Sequence, residues 1–449
     1  MSGDYRPVGK PGDAPAAGTE CRAYPRRWLV LAVFAGASAA NASHWISLAI
    51  VGNVVGEHYG VTPAAVEWTS MVFMVTYVPL VLPAAGILDK WGLRRSLLLG
   101  AAGTALGAWL KVLGTARDHF WVVLAGQTVV ASSQVFILSV PPRLAAVWFP
   151  AHQVSSACSV GVFGNQLGIA AGFLLPPLVV KRHDDAEATG WDLALLYYGM
   201  AGLSSLCLVL VLLFFSERPA TPPSPTQLLK LSAAETPGFW GSLRRLLGNP
   251  GYVHLTLSYG LLVGVFFALS TLLNQVILFY FEDGEELAGQ VGLLMILAGM
   301  LGSVVSGLVL DKTHRFKETA LCVYFMSLVG MCAFTLTLDW DSRLAVFATS
   351  GLLGFFMTGY LPLGFEFAAE LTYPEPETTS GALLSASTQV FGVALTSAYS
   401  WAVGGAGVLW ANIGLCCALL LGLALTWAIR PDLRRLAAAR PPGDKLLSA

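Results

Sequence analysis

Gly86-Ile87-Leu88-Asp89-Lys90-Trp91-Gly92-Leu93-Arg94-Arg95 lies between two long apolar runs and recurs further down the chain. The second copy reads Gly307-Leu308-Val309-Leu310-Asp311-Lys312, then His314-Arg315-Phe316-Lys317. It has one more residue between Gly and Asp and lacks the second Gly. Asp89 and Asp311 are 222 positions apart. The same offset takes Trp45 to Phe267, and Gln166 to Thr388, the neighbour of Gln389. Halves repeated in parallel around a membrane-normal axis put the substrate site near the midplane between them.

Working outward from the loop, apolar runs of spanning length recur near 28–55, 67–88, 96–114, 119–141, 153–180, 191–215, 251–280, 287–310, 318–338, 343–370, 379–402 and 407–429. About 20 apolar residues cross the ~30 Å hydrocarbon core as a helix. The 449 residues are 55% hydrophobic and 12% charged, against ~25% charged in soluble domains. The fold class expected is therefore an all-α membrane protein, twelve transmembrane helices in two six-helix bundles. The division is an N-terminal tail over 1–27, a bundle over 28–215, a linker over 216–250, a second bundle over 251–430 and a C-terminal tail over 431–449. Within the linker, Phe239, Trp240, Leu243, Arg244, Arg245 and Leu246 predict a short amphipathic helix.

Of 26 lysines and arginines, all but Lys111, Arg117, Lys181, Arg182 and Arg343 fall on the side of the tails and the repeated loop. We call that side the basic face. The positive-inside rule makes it cytoplasmic. The plasma membrane is the expected location, with mitochondrial or endoplasmic reticulum membranes as alternatives. The N-terminal tail has no short apolar core with a cleavage site. The seven cysteines show no metal-type spacing and read as small hydrophobes. A net charge of −1 gives no sign of a nucleic-acid partner. The partners are the bilayer and a small solute, and a monomer is expected.

Asn41-Ala42-Ser43-His44-Trp45 interrupts the first apolar run at its middle. Polar groups at that depth are costly and mark a protein interior or a cavity. Asn41 and Trp45, four apart, share a helix face, read as lining a cavity. The competing reading has Asn41 and His44 bonding a neighbouring helix while Trp45 packs. His44 points ~100° away from Trp45. Gln134 and Gln389 lie midway along the fourth and eleventh spans, and Phe267, Ser270 and Asn274 share a face of the seventh. Trp45, Gln134, Phe267 and Gln389 are the principal binding candidates. Asn41, Met74, Asn165, Gln166 and Ser270 form a second tier. Asp89, Arg94, Arg95 and Asp311 are candidates for a lock, an acid meeting a helix N-terminus or a base across the bundle interface.

No carboxylate lies at mid-depth, where proton-coupled carriers bury one. No G-x-x-x-x-G-K-[ST] loop points to an ATP-driven pump. No cluster suggests metal chemistry or a nucleophile with its base, so neither catalytic residue nor cofactor is expected. Aromatic rings with Gln carbonyls and no acid suit a permanent organic cation, which cannot donate N–H bonds. One cation–π contact contributes roughly 0.5–2 kcal/mol. The membrane potential adds ~2.3 kcal/mol per charge per 100 mV.

The repeated loop resembles the signature loop of the major facilitator superfamily. Glu67-Trp68-Thr69-Ser70-Met71-Val72-Phe73-Met74, Gly107-Ala108-Trp109-Leu110-Lys111 and Gln134-Val135-Phe136-Ile137-Leu138 resemble, more narrowly, its feline leukaemia virus subgroup C receptor-related family. So do Gly164-Asn165-Gln166-Leu167-Gly168, Ser270-Thr271-Leu272-Leu273-Asn274-Gln275 and Thr358-Gly359-Tyr360-Leu361-Pro362-Leu363-Gly364-Phe365-Glu366-Phe367. The match covers roughly residues 26–436. The resemblance implies facilitative, potential-driven transport of choline and ethanolamine, with haem export also attributed to the family. It implies a choline pocket of Trp45, Gln134 and Gln389, plus a tyrosine where this chain has Phe267. A phenylalanine keeps the ring face and loses the hydroxyl. Two other readings are a haem exporter using His44, and a non-transporting receptor or sensor on a carrier fold.

Overall fold

The computed structural model describes residues 24–150, 153–183, 185–219, 221, 239–340, 342–375 and 377–430. Among them there is no strand. Twelve stretches are long and apolar enough to cross a membrane. Spans 1 to 6 are Arg26–Tyr59, Pro63–Val81, Lys90–Leu113, Arg117–Trp148, Ser156–Val179 and Ala186–Phe214. Spans 7 to 12 are Pro250–Tyr280, Glu285–Leu310, Phe316–Trp340, Arg343–Thr372, Thr379–Ala406 and Val408–Ala428. Helices satisfy their own backbone polar groups, which is what apolar surroundings demand.

Local signals set several boundaries. The side chains of Thr62, Asn249 and Ser342 accept from Ala65, Tyr252 and Ala345 N–H at the starts of spans 2, 7 and 10. Pro63 and Pro250 follow two of these caps, where a missing N–H costs nothing. Spans 2 and 3 form one helical run, Pro63–Leu113, broken at Gly92 (φ 83°, ψ −179°). Only glycine adopts that conformation readily. A Cβ there would also clash with the Glu217 carboxylate. The helix Phe239–Leu247 fulfils the linker expectation.

Span 1 is discontinuous. Its first helix, Arg26–Ile46, ends one residue past Trp45, a 3-10 turn covers Ala49–Val51, and Gly52–Tyr59 resumes as helix. Its repeat mate, span 7, is continuous over Pro250–Tyr280. The first helix of span 1, Arg26–Ile46, is fixed by span 5. Gly164, Gly168 and Gly172, four apart, press against the backbone of Ala35, Ala39 and Ser43 so closely that any Cβ would come within 3 Å.

The halves meet along spans 1 and 7, 2 and 11, and 5 and 8. Phe173 fills the space over Gly289 and Gly292. A set of polar bonds crosses between the halves on the face opposite the basic one. Glu67 accepts from Gln275 Nε2 (2.8 Å), and Asn53 Nδ2 donates to Glu285 Oε1 (2.8 Å). Ser70 and Thr271 hydroxyls pair at 3.0 Å, and Lys181 bonds Glu286.

Candidate functional site

Trp45 occupies the last turn before the break in span 1. Its ring centroid lies 5.4 Å from that of Phe267, edge to face, and 6.4 Å from that of Phe266. The two residues that the 222-position offset pairs thus touch across the interface between halves. Trp45 is 5% exposed and Phe267 half-buried. Met74 of span 2 and Gly392 of span 11 complete the contact. A Cβ on Gly392 would sit 2.8 Å from both Met74 Sδ and Phe267 Cδ2. Gln389 lies one turn from Gly392, half-buried, with its amide 3.5 Å from the Thr388 hydroxyl. Gln134 is half-buried and has no hydrogen-bond partner among the described residues. It lies two turns from Gln127 on the same face of span 4, and Gln127 bonds span 1. Gln166 is half-buried and Ser270 buried. A groove of about 530 Å³ lies elsewhere, between spans 3 and 4 at Leu99, Gly103, Thr128, Ser132 and Phe136, and includes none of the predicted residues.

Several expectations need correction. Asn41 does not face a cavity. It is fully buried, and its Nδ2 donates to Thr104 Oγ1 (2.8 Å) and to the Val130 carbonyl (3.2 Å) inside the N-terminal half. Asn165 is similarly turned to span 1, where it donates to Ser38 Oγ (3.3 Å). Among the described residues, Arg94 reaches no group across the interface. Its guanidinium donates to the Leu212 carbonyl (3.0 Å) in its own half. Arg95 is exposed. The Asp89 and Asp311 side chains lie outside the described residues. The acid that caps the start of span 3 is Glu217, which accepts from Leu93 N (2.8 Å) and Arg94 N (2.7 Å). Two N–H groups left free by the Gly92 break explain that cap.

Lys111, counted among the five basic residues away from the basic face, is fully buried rather than a solvated anchor. Its Nζ lies 2.6 Å from His44 Nδ1 and donates to Gln127 Oε1 at 3.0 Å. The Tyr197 ring centroid is 6.0 Å away. His44 Nε2 is 3.2 Å from Ser204 Oγ. Hydropathy alone reads a lysine at the end of an apolar run as an anchor. The signal that could have found it is the mid-span His44, whose expected bond to a neighbouring helix needs a polar partner at that depth. Gly392 and Phe266 were missed too, because an apolar contact within an apolar span leaves no mark in composition.

Two six-helix halves, repeated in sequence and meeting at an aromatic contact near mid-span, define a membrane carrier of the major facilitator type. Residues 32–395 match the Major Facilitator Superfamily profile. A bacterial homolog of the human lysosomal transporter Spinster superposes with a TM-score of 0.74 at 15% identity, covering 94% of this chain and all of that one. An uncharacterized MFS-type transporter of Caenorhabditis elegans is 49% identical over 417 residues, 93% of this chain and 71% of the relative. The choline/ethanolamine transporter FLVCR2 of Homo sapiens is 47% identical over 412 residues, 91% and 78% of the two chains. The choline/ethanolamine transporter FLVCR1 of Felis catus is 43% identical over 427 residues, 95% and 76%. The chain belongs to the major facilitator superfamily and, within it, to the feline leukaemia virus subgroup C receptor-related family of membrane transporters.

Proposed function

We propose that this protein is a facilitative carrier of choline, and of ethanolamine, working by alternating access and driven by the substrate gradient and the membrane potential. The observation that carries the proposal is the Trp45–Phe267 contact, one ring from each half, 5.4 Å apart. A trimethylammonium group entering there exchanges a ring–ring contact for two ring–cation contacts. Gln134 and Gln389 offer amides to the polar end of the substrate, with Met74, Gln166 and Ser270 as secondary lining. The relatives named choline/ethanolamine transporters support the substrate class. The cross-half bonds on the opposite face support a state closed on that side. With the basic face cytoplasmic, that state faces inward and both termini are cytoplasmic. Asp89, Arg94, Arg95 and Asp311 belong to the basic-face loops that close in the other state, Arg94 by first leaving Leu212. The monomer is the transporting unit, in the plasma membrane.

No observation favours haem. His44 has both ring nitrogens engaged and no exposure, so it offers no iron ligand. The test is tritiated choline uptake in cells expressing wild type, Trp45→Ala or Gln134→Ala. Removing the indole should raise KM roughly two- to thirtyfold. Unchanged uptake by both variants would refute the site, and absence of choline and ethanolamine uptake by wild type would refute the function.

A further inference from the structure

We infer that Lys111, Gln127 and His44 form a clamp that fixes the break in span 1 and so holds the Trp45 indole in place; they are positioning residues. The inference rests on the proposed role of Trp45 and deepens it.

The break leaves carbonyls in the last turn of Arg26–Ile46 without a full set of helical donors. The His44 carbonyl is one of them. It accepts from Gln127 Nε2 (2.6 Å) and from Ser47 Oγ (3.1 Å). The Gln127 amide can donate there only if its oxygen points back, and Lys111 Nζ holds that oxygen at 3.0 Å. The same ammonium meets His44 Nδ1 at 2.6 Å. With Nδ1 accepting, Nε2–H is free to donate to Ser204 Oγ at 3.2 Å. The lysine thus ties together the side chain of His44 and, through Gln127, its backbone. Trp45 is the next residue.

No carboxylate pairs with Lys111 among the described residues. An ammonium buried without a counter-ion is costly, and simple packing at this site is achieved more cheaply by an apolar side chain. Its three donors meet His44, Gln127 and the face of Tyr197 (6.0 Å). Beyond the break, Gly52–Tyr59 reaches the other half, where the Asn53 N–H donates to Asn274 Oδ1 (3.4 Å) and its side chain to Glu285. The clamp therefore sits between the ring contact and the segment that bonds across the opposite face.

The variants are chosen to separate clamp from fold. Gln127→Glu keeps an acceptor for Lys111 and removes the donor to the His44 carbonyl. Lys111→Met removes the donor that orients Gln127. His44→Gln can still accept from Lys111 and donate to Ser204. Hydrogen–deuterium exchange of the purified full-length protein, read on peptides covering 44–52, should quicken about tenfold in Gln127→Glu and Lys111→Met and stay within about twofold in His44→Gln. KM for choline should rise about fivefold in the first two, with Vmax less affected and His44→Gln near wild type. Exchange and KM both at wild-type values in Gln127→Glu would overturn the inference, as would faster exchange with unchanged KM. Faster exchange in a protein whose wild type moves no choline would keep the clamp and remove the substrate proposal, so the two failures are distinguishable.

Discussion

At the residue scale, the site depends on what each side chain lacks as much as on what it has. Phe267 lacks a hydroxyl. Its ring face can hold a trimethylammonium as a tyrosine's would, whereas a primary ammonium loses a hydrogen-bond partner. Phe267→Tyr should therefore leave choline KM within about twofold and lower ethanolamine KM by a few-fold, on the order of one hydrogen bond. Competition assays with both substrates measure this, and an unchanged ethanolamine KM would show that the hydroxyl does not reach the substrate. Gly392 lacks a Cβ, and a methyl there would lie 2.8 Å from the Phe267 ring and Met74 sulfur. Gly392→Ala should displace the ring and raise choline KM several-fold, with an overpacking cost of about 1–3 kcal/mol read by thermal melting. Trp45 could be singled out in the sequence because it stood beside polar residues in an apolar run. Gly392 could not, since a glycine in a membrane span has many ordinary uses.

At the element scale, the twelve spans were legible because an apolar run of ~20 residues is nearly sufficient for a membrane helix. The repeat was legible because charged loop residues stand out between such runs. The break in span 1 was not. Ile46-Ser47-Leu48-Ala49-Ile50-Val51 has neither proline nor glycine, and the hydrogen bonds that compensate it come from span 4 and from Ser47. Glu217 was equally hidden, since its partners Leu93 and Arg94 are far away in sequence. The linker helix is tied down by a two-point pair, Arg245 Nε and Nη2 to Glu375 Oε1 and Oε2 at 2.5 and 3.0 Å. Hydrogen bonding from the guanidinium holds the Glu375 carboxyl below its ordinary value. A carboxyl depressed in the folded state adds stability above its unfolded value, and that stability fades as pH falls through the lowered folded value. The melting difference between wild type and Glu375→Gln should be present at neutral pH and disappear in acid below the ordinary carboxylate range. A difference that persists there would rule out the ion pair as its source.

At the scale of the whole molecule, the cross-half bonds of Glu67 with Gln275, Ser70 with Thr271 and Asn53 with Glu285 lie together on one face. In the proposed alternating-access cycle they break when that face opens. Glu67→Leu combined with Asn53→Leu should shift spin-label distances between the halves on that face toward longer values, and an unchanged distribution would place the closure elsewhere. The central claim is that a cation moves down its electrochemical gradient with no coupled ion. Choline uptake into proteoliposomes carrying an imposed potassium diffusion potential tests it most directly. Accumulation should rise about tenfold for each ~60 mV of inside-negative potential, without sodium or a pH gradient, and should collapse in Trp45→Ala. Uptake that ignores the potential, or that requires a sodium or proton gradient, would contradict the account.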